Sequence, residues 1–458
     1  MNIEEEMTAR ESRYHLVTFG CQMNKYDSEK LEGILSSSGM VASAEAGDAG
    51  LILVNTCSVR EKAENKVLSF IGRLAKQKKT NPDLLIALGG CMATYNKKEI
   101  AKMAPNVDIV FGPDAIANLP EMVRRRRATG KRQFDIGFSD ETVWDTPETF
   151  IRKSKVTAWV GIMKGCDNRC TYCVVPDARG AEVSRPAEKI LEEISGLANE
   201  GFKEVTLIGQ NVNSYGKGLE LEMEFPDLLK SVESISGIER IRFMTSHPKD
   251  LTDRLIEVMA TSKKVSAYLH LPIQSGSNRI LAAMKRGYTR EDYLGKVAKI
   301  REAVKGVTIS TDLMFGFPGE TEEDYLDSIS IMEEVRFDSA YLFNYSSREG
   351  TPAARFGGEV DRDVKRIRFE AALTLNKKII LEKNKAMLGR KVVVLCEDQY
   401  NVMADTKAGK SPGSAVISGR TPGNHVVRFD GNINLVGKSV EVEVIGDTGY
   451  DLVGKLCG

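Results

Sequence analysis

Three short apolar runs near the start of the chain end in the same way, and this repeat constrains the fold more than any other feature. "YHLVTFGC" closes on Cys21, "LILVNTC" on Cys57 and "LLIALGGC" on Cys91. Uninterrupted apolar runs of this length suit strands buried on both faces of a parallel sheet. Strands are expected at 14–19, 50–55 and 83–88, with a fourth, "VDIVFG", at 107–112. Between them, "SEKLEGILSSSG" and "EKAENKVLSFIGRLAKQKK" carry helical patterns, the first ended by Gly39. Such strand–helix alternation implies a mostly parallel, doubly wound α/β domain over 12–125. Strand carboxyl ends in such a sheet converge on one crevice, where three distant cysteines are expected to meet. The plainer alternative is three buried free thiols, a common fate of Cys.

The segment from about 121 to 155 reads as a connector, with the linker at 126–152; it is basic in "VRRRRATGKR" and acidic with no clear period in "DIGFSDETVWDTPETF". Arg124 to Arg127 suit either a solvated helix end or a contact with RNA phosphate. Over 153–384 the alternation resumes, with strand candidates "TAWVGIM", "EVTLIGQNV", "IERIRFMTS", "VSAYLHLPIQ", "VTISTDLMFG" and "SAYLFNYSS". Six strands so spaced suggest a partial (β/α)6 barrel whose function lies at the carboxyl ends of its strands. From 385 to 455 short strands alternate with Gly, Pro and Asn turns, which reads as a small all-β barrel. From Lys385 onward nine Lys/Arg face eight Asp/Glu, a difference of +1, so charge does not mark this barrel as an RNA binder.

A second group of cysteines is local. "GCDNRCTYCVVPDARG" places Cys166, Cys170 and Cys173 in one segment directly after the first strand of the expected barrel. The start of the chain, "MNIEEEMTARESRYH", has no apolar run of signal-peptide type, and no apolar segment reaches the ~18 residues of a membrane helix. A cytoplasmic protein without a membrane partner is expected. There disulfides are disfavoured, so cysteine clusters read as metal-binding or catalytic. A structural zinc site needs four ligands, and no fourth Cys or His lies within about 70 residues of this group. Three thiolates with a vacant fourth position suit an iron–sulfur cluster with one open iron. Cys396, in an apolar strand, and Cys457, in the tail, read as non-ligands. His15, His247, His270 and His425 show no ligand spacing. The 64 basic residues balance 64 acidic ones, so RNA contact through bulk charge is not expected.

The Cx3Cx2C motif followed by "VVPDARG" resembles the radical S-adenosylmethionine (SAM) enzymes, and specifically their methylthiotransferases. The resemblance covers nearly the whole chain, whose last segment is similar to the TRAM domain, a small RNA-binding β-barrel. "FGCQMNKYDSE", "NTCSVREKAENKV" and "HLPIQSGSNRILAAMKRGYTR" point to the MiaB branch, which modifies tRNA, and "SGRTPGNHVVRF" suits it too. The resemblance implies two [4Fe–4S] clusters. Cys166, Cys170 and Cys173 would hold the one that binds SAM and cleaves it to a 5′-deoxyadenosyl radical. Cys21, Cys57 and Cys91 would hold an auxiliary cluster bearing the methylated sulfur. The implied reaction places CH3S on C2 of N6-isopentenyladenosine beside the tRNA anticodon, a second SAM supplying the methyl group.

Softer expectations concern single contacts. Gln210, Ser246, Gln274 and Asp312 lie at barrel strand ends, where they either touch SAM or serve as satisfied polar residues of the rim. Arg179, Arg185 and Arg420 are candidate RNA contacts. The implied partners are the tRNA anticodon stem-loop and an electron donor such as flavodoxin or ferredoxin, with the enzyme a monomer. Asp177 departs from the family, which more often carries an aromatic residue after this Pro. Sibling branches act on threonylcarbamoyladenosine in tRNA or on a ribosomal-protein aspartate. "GCQMN", where the aspartate branch has "GCPKN", together with "CSVRE", argues against both. A non-catalytic metal-bearing RNA-binding protein and an electron carrier with four cysteines per cluster are the rivals of other classes.

Overall fold

Leu51–Thr56 and Leu85–Gly90 are buried at every position, as strands covered on both faces must be. They are the centre of a sheet in a computed structural model that describes residues 10–458 except 59–60, 96–99, 101–104, 139–143, 145–148, 218, 220–222 and 400–413. The chain divides into two units. The first comprises residues 1–153, 164–169 and 173–185; the second comprises 154–163, 170–172 and 186–458.

In the first unit β1 (Arg13–Thr18), β2 (Val41–Ala42), β3 (Leu51–Thr56), β4 (Leu85–Gly90), β5 (Ile109–Phe111) and β6 (Gln133–Asp135) form one sheet. All pairings are parallel and the order is β2-β1-β3-β4-β5-β6. Leu51 and Leu53 pack with Leu31 and Leu35 of the helix Gln22–Ser37 on one face. Ile52 and Val54 pack with Val67 and Ile71 of the helix Glu61–Thr80 on the other. This alternation makes the domain doubly wound, and its strand order reverses between β1 and β3, where such folds hold their ligands.

β2 and β6 escape the sequence pattern because they are short and have no buried residue. β6 lies within the segment read as a connector. The four arginines of that segment sit in the helix Leu119–Thr129, where Arg126 reaches Asp108 at 2.8 Å and Arg127 donates to Glu11 O at 2.7 Å. Residues 149–153 pack on the helix Gln22–Ser37: Arg152 pairs with Glu29 at 3.0 Å and Lys153 with Glu32 at 2.7 Å. Those pairs explain why two acids of that helix are buried.

The second unit holds six parallel strands: Thr157–Gly161, Glu204–Ile208, Arg240–Phe243, Tyr268–His270, Thr308–Phe315 and Ser339–Asn344. Two three-stranded sheets are joined by a parallel bridge from Ile241 to Val265, giving the open barrel expected from the sequence. A closed five-stranded barrel follows, in the order Lys391–Gln399, Ser414–Arg420, Val426–Asn432, Leu452–Leu456, Ser439–Asp447. Its "RTPGN" turn docks on the amino-terminal end of the open barrel. Arg240 donates to Arg420 O at 2.8 Å, Arg242 to Thr421 O at 2.7 Å, and Thr308 Oγ1 to Gly423 O at 2.7 Å. Glu204 neutralises both arginines, at 3.4 and 3.0 Å.

One glycine decides how β4 hands over to Cys91. Gly90 has φ +94°, and a Cβ there would lie 2.4 Å from Thr56 O. Gly90→Ala is therefore expected to destabilise the first unit by ~1–3 kcal/mol and lower its melting temperature. An unchanged melting curve would contradict this geometry.

Candidate metal centres

The three cysteines of the first unit sit where strands give way to the next element. Cys21 precedes the helix Gln22–Ser37, Cys57 follows β3 directly, and Cys91 opens the helix Cys91–Tyr95 directly after β4. A hydrogen-bond chain sets their spacing. Asn24 Oδ1 accepts from the Cys21 N–H at 3.2 Å, and its Nδ2 donates to Thr56 O at 2.9 Å. Thr56 Oγ1 donates in turn to Gly89 O at 2.6 Å. Asn55 Nδ2 ties the same region to Asn24 O at 2.8 Å. Gly20 makes room for this packing, since a Cβ there would fall 2.2 Å from Asn24 Oδ1.

One cation acts on two of the three sulfurs, those of Cys91 and Cys21. Arg179, 5% exposed, donates from Nε to Cys91 Sγ at 3.1 Å and from Nη2 to Asp27 Oδ2 at 2.6 Å. A hydrogen bond with Cys57, with Arg179 helping, holds the Cys21 thiol down to about 6 against the effect of burial. Burial pushes the Cys91 thiol up, although Arg179 opposes it. One fixed positive charge thus favours a thiolate here without serving all three sulfurs. Among the described residues no three donors converge as they would on a single metal ion. A four-iron cluster needs something else, because each thiolate binds a different iron. Three reduced cysteines on adjacent strand ends fit such a group.

The expectation that Arg179 and Arg185 face RNA phosphate is not met. Arg179 is committed to Asp27 and Cys91, and Arg185 is fully buried with its guanidinium 5.6 Å from the Trp144 ring centre. Basic residues beside a cysteine motif look like surface contacts in sequence; only the fold reveals a buried acid and an aromatic ring as their partners. Arg420 is part-exposed and paired with Glu397 at 2.5 Å. Asp177 is exposed in the first turn of the helix Val175–Arg179.

Of the Cx3Cx2C cysteines, Cys166 and Cys173 belong to the first unit. Cys166 Sγ accepts from Asn168 Nδ2 and Cys173 Sγ from the Val175 N–H, both at 3.5 Å. Cys170 belongs to the second unit, and its Sγ accepts from Arg286 at 3.3 Å. Cys396 is buried in the closed barrel, where its thiol is pushed up to about 11.

The carboxyl rim of the open barrel carries polar atoms with nothing to bind. Both amide atoms of Gln210 and of Asn213, Asn211 Oδ1, Ser246 Oγ and His247 Nε2 are buried without a hydrogen-bond partner. Proteins seldom leave such atoms unmet, so this concentration fits a polar ligand. Sequence reasoning named Gln210 and Ser246 but missed His247. Burial, with Arg286 nearby, pushes the His247 imidazole down to about 2, so it is neutral. Its Nδ1 accepts from the Lys249 N–H at 3.2 Å, which leaves the proton on Nε2. Thr245 (φ 72°) and Gln274 (φ 75°) adopt left-handed backbone at the same rim. Such strain gathers at functional sites. Asp312 lies 3.6 Å from His270, which is linked through Ser310 to Tyr268 at 2.8 Å per step. His15 meets Ser43 O at 2.9 Å and His425 meets Thr421 Oγ1 at 3.4 Å.

Comparison with known proteins bears on both units. Residues 13–112 match the model of the uncharacterized protein family UPF0004, and residues 160–331 match that of the Radical SAM superfamily. A protein of Pelotomaculum thermopropionicum named tRNA-2-methylthio-N(6)-dimethylallyladenosine synthase is 47% identical over 97% of each chain. One of the same name from Carboxydothermus hydrogenoformans is 46% identical over 97% of this chain and 99% of its own. Among solved structures, the radical SAM methyltransferase TsrM of Kitasatospora setae superposes with TM-score 0.54 at 15% identity, covering 75% of this chain and 74% of that one. That likeness concerns the fold alone.

Arg179 and Asp27 form a buried pair, so removing one strands the other. Arg179→Met is expected to destabilise the first unit by ~3–5 kcal/mol in denaturant unfolding. Adding Asp27→Leu should restore most of that loss. Additive losses in the double variant would show that the pair is not coupled.

Proposed function

Because this chain belongs to the tRNA-2-methylthio-N(6)-dimethylallyladenosine synthase family, we propose that it inserts a methylthio group at C2 of N6-isopentenyladenosine next to the tRNA anticodon. One observation carries the reading: Cys21, Cys57 and Cys91 stand on three adjacent strand ends tied together by Asn24 and Thr56. They are the ligands of an auxiliary [4Fe–4S] cluster. Cys166, Cys170 and Cys173, by their spacing, are the ligands of a second. When bound, these groups supply an electron that opens SAM to methionine and a 5′-deoxyadenosyl radical, and a methylated sulfur for transfer.

The protein's own residues bind and shield. Gln210 and Ser246 present unmet polar atoms that suit the amino acid and ribose groups of SAM. His247 offers a neutral N–H donor from the same rim. Gln274 and Asp312 continue the rim, joined by a backbone hydrogen bond of 2.9 Å. The closed barrel at residues 391–456 is the tRNA-binding module, with part-exposed Arg420 as a phosphate contact. Arg179 and Arg185, being buried, act on the protein side of the site. The enzyme works as a monomer in the cytoplasm, with a one-electron donor of the flavodoxin or ferredoxin type as partner. Among the described residues no helix is long and apolar enough to cross a membrane.

Anaerobic reconstitution tests the assignment. The parent is expected to take up about eight irons per chain, and the Cys21/Cys57/Cys91→Ala variant about four. That variant should still release 5′-deoxyadenosine from SAM but leave tRNA unmodified. Equal iron in both proteins would remove the first three cysteines from the account.

A further inference from the structure

Arg286 is a buried guanidinium without a carboxylate. It is 5% exposed, and among the described residues no Asp or Glu stands within ion-pair distance of it. Three other buried arginines differ: Arg179 has Asp27, Arg242 has Glu204 and Arg368 has Glu320. The donors of Arg286 go instead to Tyr288 Oη at 2.9 Å, Pro272 O at 3.0 Å, Tyr172 Oη at 3.5 Å and Cys170 Sγ at 3.3 Å. Burial pushes the Tyr288 phenol up to about 12, so it stays neutral. As a cluster ligand the Cys170 sulfur is a thiolate, which sets negative charge against Arg286.

The contact is held on both sides. Tyr288 Oη also reaches Ile273 O at 2.8 Å, which fixes the hydroxyl that receives Arg286 Nε. Thr171, next to Cys170, donates from its N–H to Met284 O at 3.1 Å and from Oγ1 to Ala283 O at 2.9 Å. An isolated buried cation costs several kcal/mol, so a fold that keeps one needs an anion opposite it. Hydrogen bonds to ligating sulfurs and local charge are what set the potentials of iron–sulfur clusters.

We infer that Arg286 tunes the cluster ligated by Cys170, stabilising its reduced form through a charged N–H···S contact. This rests on the assignment of Cys166, Cys170 and Cys173 as ligands. Arg286 faces the single negative charge that arrives with one electron; the flavodoxin- or ferredoxin-type donor loses that electron, and no bond is made or broken. Arg286 acts through Cys170 and is a positioning residue, not a catalytic one.

The test uses the full chain carrying Cys21/Cys57/Cys91→Ala, so that a single cluster is read, with iron analysis and an EPR-monitored redox titration. Arg286→Gln should retain its iron. At the potential where the parent cluster is half reduced, its ratio of reduced to oxidised cluster should fall at least tenfold, equivalent to 59 mV for one electron. Arg286→Lys keeps the charge and should fall less. An unchanged ratio in Arg286→Gln overturns the inference. Should that variant hold no iron, Tyr288→Phe decides, because it releases the guanidinium but keeps its charge: a lowered ratio supports the inference and an unchanged one overturns it. A background protein without iron overturns the ligand assignment too, whereas full iron with an unmoved potential overturns the role of Arg286 alone.

Discussion

The hydrogen-bond chain from Cys21 through Asn24 and Thr56 to Gly89 is the constraint on which the first unit depends. A parallel sheet brings its strand ends to one side, but it does not by itself level them. Asn24 links the turn after β1 to β3 by accepting from the Cys21 N–H and donating to Thr56 O, and Thr56 extends the tie to β4. Cysteines from three separate parts of the sequence therefore stand at a spacing set by backbone geometry. The glycines at 20 and 90 follow from this, because the side chains and carbonyls of the tie occupy the space a Cβ would take.

Each unit also points one buried arginine at one cysteine sulfur: Arg179 at Cys91 and Arg286 at Cys170. The two differ in their neutralisation. Asp27 balances Arg179, so that pair is stable before anything binds. Among the described residues Arg286 has no acid, and the inferred charge at Cys170 is what would balance it. The unmet polar atoms of Gln210, Asn213, Ser246 and His247 follow the same logic on the barrel rim. Both features leave polar groups for which the described protein atoms supply no full counterpart.

Much of this was legible in the sequence, for physical reasons. The fully buried strands announce themselves because two-sided burial demands unbroken apolar runs, and a Cys placed just after such a run stands at a strand end. The open barrel and the closed one were readable from alternation and turn residues. β2 and β6 were not, since a strand of two or three residues with none buried leaves no hydrophobic signature. The burial of Arg179 and Arg185 was equally hidden, because charge in a sequence says nothing about a distant acid or ring. His247 went unnoticed for a related reason: its significance lies in a neutral ring with one unmet nitrogen, which only the packing reveals.

The most direct test of the central claim is mass spectrometry of nucleosides from tRNA of a host that lacks the modification and expresses this chain. The account predicts that N6-isopentenyladenosine gains one CH2S unit, the net result of replacing the C2 hydrogen by CH3S. It would be contradicted if that nucleoside stayed unchanged while threonylcarbamoyladenosine or a ribosomal-protein aspartate acquired the group.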